Sequence, residues 1–233
     1  MEWNAPSSER SPEFDAISNL EAKSRVANEA AGRLRDGDVV GVGSGSTSLL
    51  ALHALVERSR QEGSRFRAIT TSLEITMACN EWGVATTTLL DARPDWSFDG
   101  ADEVDPEGNM IKGRGGAMLR EKILLASSPE RYILIDESKR VDQLGDHALV
   151  PVEVVPEAVR LVESLLASEL GAREVALRRA LAKDGPVITE RGNVILEVRF
   201  TEITRDTNAR VDSLPGVAAS GLFFDFHPTV LCA

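Results

Sequence analysis

Residues 39–50 read VVGVGSGSTSLL. Val39, Val40 and Val42 are β-branched and predict a short strand. Gly43, Ser44, Gly45, Ser46 and Thr47 follow as a loop of glycines and hydroxyls, and a helix is expected over about 48–60. A strand, a glycine loop and then a helix is the opening unit of an α/β domain with a parallel sheet. It is also an anion cradle, because free backbone N–H groups at a helix start favour negative oxygens. The run is not Gly-x-x-x-x-Gly-Lys-Ser/Thr, which disfavours a nucleoside triphosphatase. It lacks the full Gly-x-Gly-x-x-Gly dinucleotide spacing, so a small phosphate fits better; a plain turn is the competing reading.

Outward from this unit the same rhythm continues. Strands are expected over 66–71, 84–89, 96–98 and 132–135, with helices over 20–34, 73–82 and 118–127. Asn19 is a candidate cap for the first helix. Lys23 lies in its first turns, either as a solvated side chain or facing a bound anion. This β-α-β alternation predicts a Rossmann-like parallel sheet covered on both faces. After Gly145 the pattern changes. Strands over 151–155 and 174–180, a helix to about 170, a hairpin around Glu190-Arg191-Gly192-Asn193, a helix over 206–214 and a strand over 217–223 make one β-α-β-β-α-β unit. The expected organisation is an α/β fold with two units: a Rossmann-like domain over 19–145, completed by 224–233, and a smaller ferredoxin-like α+β domain over 146–223. Residues 1–18, with two prolines and four serines, are expected to form a flexible extension.

The chemistry concentrates in 98–122, FDGADEVDPEGNMIKGRGGAMLREK. Asp99, Asp102, Glu103 and Asp105 fall within seven positions, followed by Lys112, the glycines 113, 115 and 116, and a helix carrying Glu121. The cluster alone reads equally as an acidic surface loop. Beside a lysine and a glycine turn it is a plausible proton-transfer site.

Composition narrows the class. An apolar fraction of 42% suffices for a buried core, and a net charge of −11 argues against a nucleic-acid partner. No apolar run approaches a membrane span, and no basic-then-apolar leader pattern opens the chain, so a cytoplasmic protein is expected. Cys79 and Cys232 read as unpaired thiols. His53, His147 and His227 lack compact ligand spacing, so no metal is expected.

These motifs resemble the A-type, metal-independent ribose-5-phosphate isomerases. The resemblance rests on GVGSGST at 41–47, DGADEVD at 99–105, IKGRGGAMLREKI at 111–123, DESK at 136–139 and PVEVVPEA at 151–158, with weaker support from LPGV at 214–217 and GLF at 221–223. It implies interconversion of D-ribose 5-phosphate and D-ribulose 5-phosphate in the non-oxidative pentose phosphate pathway, with no cofactor and a homodimer or homotetramer. By the same resemblance Glu121 is the general base and Lys112 the cation beside the enediolate oxygen. Asp99 serves ring opening, and Asp102 is its neighbouring carboxylate. Lys23, Ser44, Gly45, Ser46, Thr47, Lys139, Gly113 and Gly115 form the phosphate- and substrate-binding set, and Asp136 ranks below these. Arg114 stands where the family commonly has glycine; it adds a phosphate contact or points to solvent, the latter being preferred. The hairpin TERGNVILEV and the ending after Phe223 also depart from the family pattern. A related sugar-phosphate deaminase or lactonase would share the anion loop without the joined acidic and Lys-Gly motifs. A sugar-phosphate-responsive regulator would need a DNA-reading module that the chain does not show.

Overall fold

The structure, a computed structural model, describes residues 17–233. Most of the extension expected over 1–18 lies outside the described residues. In chain order the elements are α1 (Leu20–Ala31), β1 (Val39–Val42), α2 (Gly45–Glu62), β2 (Arg67–Thr70), α3 (Leu73–Trp82), β3 (Ala85–Thr86), β4 (Trp96–Gly100), β5 (Glu103–Val104), β6 (Met110–Ile111), α4 (Met118–Ser127), β7 (Glu130–Ile135), β8 (Val150–Val154), α5 (Val159–Glu169), β9 (Ala172–Leu177), β10 (Val194–Phe200), α6 (Arg205–Asp212), β11 (Val217–Ser220), β12 (Leu222–Phe223) and β13 (Thr229–Cys232).

The first sheet has the order β13-β7-β4-β1-β2-β3 and is parallel at every pairing. The chain winds outward from β1 first on one side and then on the other. The reversal falls between β1 and β4, and a crevice opens at their carboxyl ends, where α/β sheets bind ligands. All four residues of β1 and the first four of β4 are buried, as a sheet covered on both faces requires. Phe98 is fully buried beside Trp96 and Leu52, and burial of such a ring contributes about 1.5–3 kcal/mol. The helix α2 starts at Gly45, earlier than periodicity suggests, so its first turn is part of the glycine loop.

The second sheet, β11-β8-β10-β9, is antiparallel. With α5 and α6 it builds the β-α-β-β-α-β unit, its core formed by Val152, Val162, Leu166, Leu196 and Val211. Two details differ from the expectation. Residues 187–189 pair with β10 only through a bridge at Ile188 and Val194, because β9 already occupies that edge. The strand expected over 217–223 breaks at Gly221 into β11 and β12, which join different sheets. A Cβ at Gly221 would sit 2.3 Å from the Lys112 carbonyl oxygen. Only glycine permits this crossing, where Gly221 N–H donates to Pro151 O at 2.6 Å and Lys112 N–H donates to Gly221 O at 2.9 Å.

The third sheet, β12-β6-β5, draws β5 and β6 from what the sequence offers as an acidic loop. Glu103 is buried there, and its carboxylate accepts backbone N–H groups from Gly145, His147 and Ala148, each at 2.6 Å. It is a structural tie, since a buried carboxylate is tolerated when its lone pairs are filled. The edge strand expected over 84–89 shortens to β3, because Thr88 turns the chain by accepting Leu90 N–H and bonding Asp91. At the other edge β13 pairs with β7 over four residues. Among the described residues no helix is long and apolar enough to cross a membrane.

Candidate active site

Four segments converge at the carboxyl ends of β1 and β4. The first is the loop from β1 into α2. Gly43 cannot carry a side chain, because its Cβ would lie 2.0 Å from Asp99 Cγ. Ser44 is the residue before α2, yet its hydroxyl does not cap the helix. It donates instead to Glu121 Oε1 at 2.5 Å. The first N–H groups of α2 therefore remain without a side-chain cap and open onto the cavity, the condition under which a helix start binds an anion.

Asp99 comes from the end of β4. Its Oδ1 accepts Gly100 N–H at 2.7 Å and the Ser48 hydroxyl at 3.3 Å, while Oδ2 faces Lys112 Nζ at 2.9 Å. Lys112 is carried by the loop after β6, held by the Gly221 crossing described above. Its ammonium also lies 3.3 Å from Glu121 Oε2 and donates to Gly100 O. Glu121 stands in the first turn of α4, where the helix dipole favours an anion. Asp99, Lys112 and Glu121 are each at most 3% exposed.

One ammonium thus serves two buried carboxylates. Asp99 Oδ2 and Glu121 Oε2 have ion-pair contact with Lys112 but no aligned hydrogen bond. Burial, reinforced by the Glu121 charge and opposed by Lys112, pushes Asp99 up to about 7. Burial would discharge Lys112, but Asp99 and Glu121 outweigh it and hold the ammonium above its usual range. Asp102 is also raised by burial, against Lys112 and the Arg114 N–H that its Oδ2 accepts at 3.1 Å. The cluster can hold a proton near neutrality and keep a fixed positive charge beside it.

Lys23, Ser44, Gly45, Ser46, Thr47, Asp99, Asp102, Lys112, Gly113, Gly115, Glu121 and Lys139 all line one cavity of about 510 Å³. The sequence spread them over more than a hundred positions. Lys23 lies 3.3 Å from both the Ser46 and Ser18 hydroxyls. Ser18, assigned to the extension, and Asn19, expected to cap α1, also line the cavity; the Asn19 side chain makes no capping bond to the helix. Asp136 is buried at the carboxyl end of β7, forms part of the wall and accepts Ser138 N–H at 3.0 Å. Its place after an apolar strand was the available signal. Among the described residues no group of three or more His, Cys, Asp or Glu is placed to hold a metal ion.

Comparison with known proteins places the chain in a family. The family described as ribose 5-phosphate isomerase A (phosphoriboisomerase A) matches residues 67–233. Ribose-5-phosphate isomerase A of Synechococcus sp. is 41% identical over 222 residues, 94% of each chain. That of Methanothermobacter thermautotrophicus is 40% identical over 206 residues, 88% of this chain and 90% of its own. The solved ribose 5-phosphate isomerase A of Methanocaldococcus jannaschii superposes with a TM-score of 0.87 at 37% identity, covering 92% of this chain and 95% of its own. A D-ribose-5-phosphate isomerase in complex with phospho-erythronic acid gives 0.88 at 33% identity, covering 93% and 95%. The chain belongs to the ribose 5-phosphate isomerase A family and is an enzyme of that isomerase class.

Proposed function

We propose that this enzyme interconverts D-ribose 5-phosphate and D-ribulose 5-phosphate by moving one proton between C1 and C2 through an enediolate. The observation that carries the mechanism is the Lys112 ammonium seated between Asp99 and Glu121, at 2.9 and 3.3 Å, beside the open start of α2.

The sugar phosphate sits at the start of α2, with Lys23, Ser46, Thr47 and Lys139 around its anion. Anchoring one end fixes the other relative to the carboxylates, which removes much of the entropic barrier. Asp99, able to carry a proton at neutral pH, exchanges it with the ring oxygen and the anomeric hydroxyl as the furanose opens. Asp102 lies alongside. Glu121 takes the C2 proton of the open aldose, and the electron pair moves into the C1–C2 bond. Negative charge then grows on the C1 oxygen next to Lys112. Such preorganised electrostatic stabilisation is worth about 3–4 kcal/mol. Protonation at C1 by the same glutamic acid yields the ketose, after a proton passes between the two oxygens. Ser44 holds the Glu121 carboxylate in place through the 2.5 Å contact. Atoms and charge balance without a cofactor, and the protein works as a homodimer or homotetramer.

Protein treated with chelator and desalted should convert ribose 5-phosphate to the ketose, and ribulose 5-phosphate back to the aldose. A preparation that binds the sugar phosphate but forms no ketose would refute the proposal.

A further inference from the structure

Arg114 interrupts the glycine turn at 113–116 and is exposed. Its backbone is tethered at both ends. The Arg114 N–H donates to Asp102 Oδ2 at 3.1 Å. Its carbonyl accepts Arg178 Nη1 from the small domain at 2.9 Å, and the same nitrogen reaches Gly113 O at 3.2 Å. Glu197 neutralises Arg178 at 2.8 Å. The root of the Arg114 side chain is therefore fixed, while its guanidinium has no ion pair among the described residues. It lines both the 510 Å³ cavity and an adjoining one of about 270 Å³ shared with Asp102, Ser138, Lys139, His147 and Arg178.

The same corner holds Lys23 and Lys139. Burial lowers Lys23; Asp136 opposes this, and the charges of Lys139 and Arg114 lower it further. Lys23 thus feels both other cations of this cavity, with the Asp136 carboxylate opposing them and the Asp102 carboxylate facing Lys139. Such a cluster repels itself when empty and is relieved by a dianion, which gains from all three.

We propose that Arg114 is a third cation of the phosphate grip, closing over the dianionic phosphate from the cavity mouth and setting this enzyme's affinity for phosphorylated over unphosphorylated sugars. The inference rests on the function proposed above. An arginine fork can bond two phosphate oxygens at once, which an ammonium cannot. Because the side chain is exposed, solvent screens the contact and its effect is modest.

Inorganic phosphate is the probe, its affinity measured by calorimetry and as competitive inhibition. In Arg114→Gln, phosphate binding and the KM for ribose 5-phosphate should weaken by roughly twofold to fivefold, with the change falling on KM and not on kcat. Arg114→Lys should recover part of the loss. Added salt should weaken phosphate binding to the unmodified protein more than to Arg114→Gln. Unchanged phosphate affinity and unchanged KM in Arg114→Gln would overturn the inference, as would a loss confined to kcat. Calorimetry reads the phosphate grip without turnover, so a failed isomerase assay would strike the proposed reaction and leave this result standing on its own.

Discussion

Replacing Lys112 by methionine removes a charge while keeping most of the side chain's volume, so it isolates the electrostatic role. In the native site the ammonium lies 2.9 Å from Asp99 and 3.3 Å from Glu121. At an effective dielectric of about 20, each contact represents about 5 kcal/mol of gross attraction. Most of that is offset by the desolvation of three ions, so the gross figure is not a stability. Loss of one partner from a buried pair typically costs about 3–5 kcal/mol, because an uncompensated charge remains. Here the cost is smaller. Asp99 already sits near 7 and can take a proton at little expense, leaving Glu121 with the Ser44 hydroxyl. Lys112→Met should therefore lose about 2–3 kcal/mol, a fall in Tm of roughly 5–10 °C for a domain of this size. The catalytic loss is separate. Without the cation, the enediolate oxygen forms unaided, and kcat should fall about 100- to 1,000-fold. Calorimetric melting and steady-state kinetics below the new Tm measure the two effects on one sample. A kcat within tenfold of the native enzyme, or a change confined to KM, would refute the assignment and leave Lys112 as a ground-state ligand.

Other consequences follow from the same geometry. The native kcat/KM should decline as pH rises through about 7, where Asp99 loses the proton it passes to the ring oxygen, and Asp99→Asn should abolish that step along with most ring opening. Stability follows the same direction. The folded state holds this proton between the ordinary carboxylate range, about 4, and about 7, whereas the unfolded chain does not. Stability from this group therefore falls as pH rises through that window, and Tm profiles of Asp99→Asn should lack the decline. Gly221→Ala would drive a Cβ to 2.3 Å from Lys112 O. It should cost about 1–3 kcal/mol by denaturant melting and lower kcat by displacing Lys112, although the position touches no substrate. Native melting and native kcat in that variant would contradict the role given to the crossing.

The parallel sheet was legible because its signals are local. Val39, Val40 and Val42 before a glycine loop, and α3 ending at Gly83 with φ +77, need no tertiary information. Asp99, Lys112 and Glu121 stood out as candidates through residue types and a family resemblance. The geometry adds that Lys112 is shared between Asp99 and Glu121, a relation created by β4, the Gly221 crossing and α4 meeting from separate stretches of chain. What the sequence did not yield was set by long-range contacts. Glu103 resembles its acidic neighbours until the segment at 145–148 is seen to bring three N–H groups to it. The split at Gly221 depends on where Lys112 O lies, and the uncapped start of α2 depends on Glu121 drawing the Ser44 hydroxyl away. Glu190 carries no local mark of its function either. It accepts Leu73 N–H at the start of α3 and pairs with Arg120 at 2.7 Å, joining the small domain's hairpin to the turn that bears Glu121.

The most direct measurement is the turnover of Glu121→Gln alongside its affinity for an aldonic-acid phosphate shaped like the enediolate. Amide for carboxylate preserves shape and the hydrogen bond with Ser44 while removing the proton acceptor. The expected result is ligand affinity within several-fold of native and an isomerisation rate lower by at least about a thousandfold. Turnover within tenfold of native, with binding retained, would place the proton-transferring group elsewhere and contradict the account.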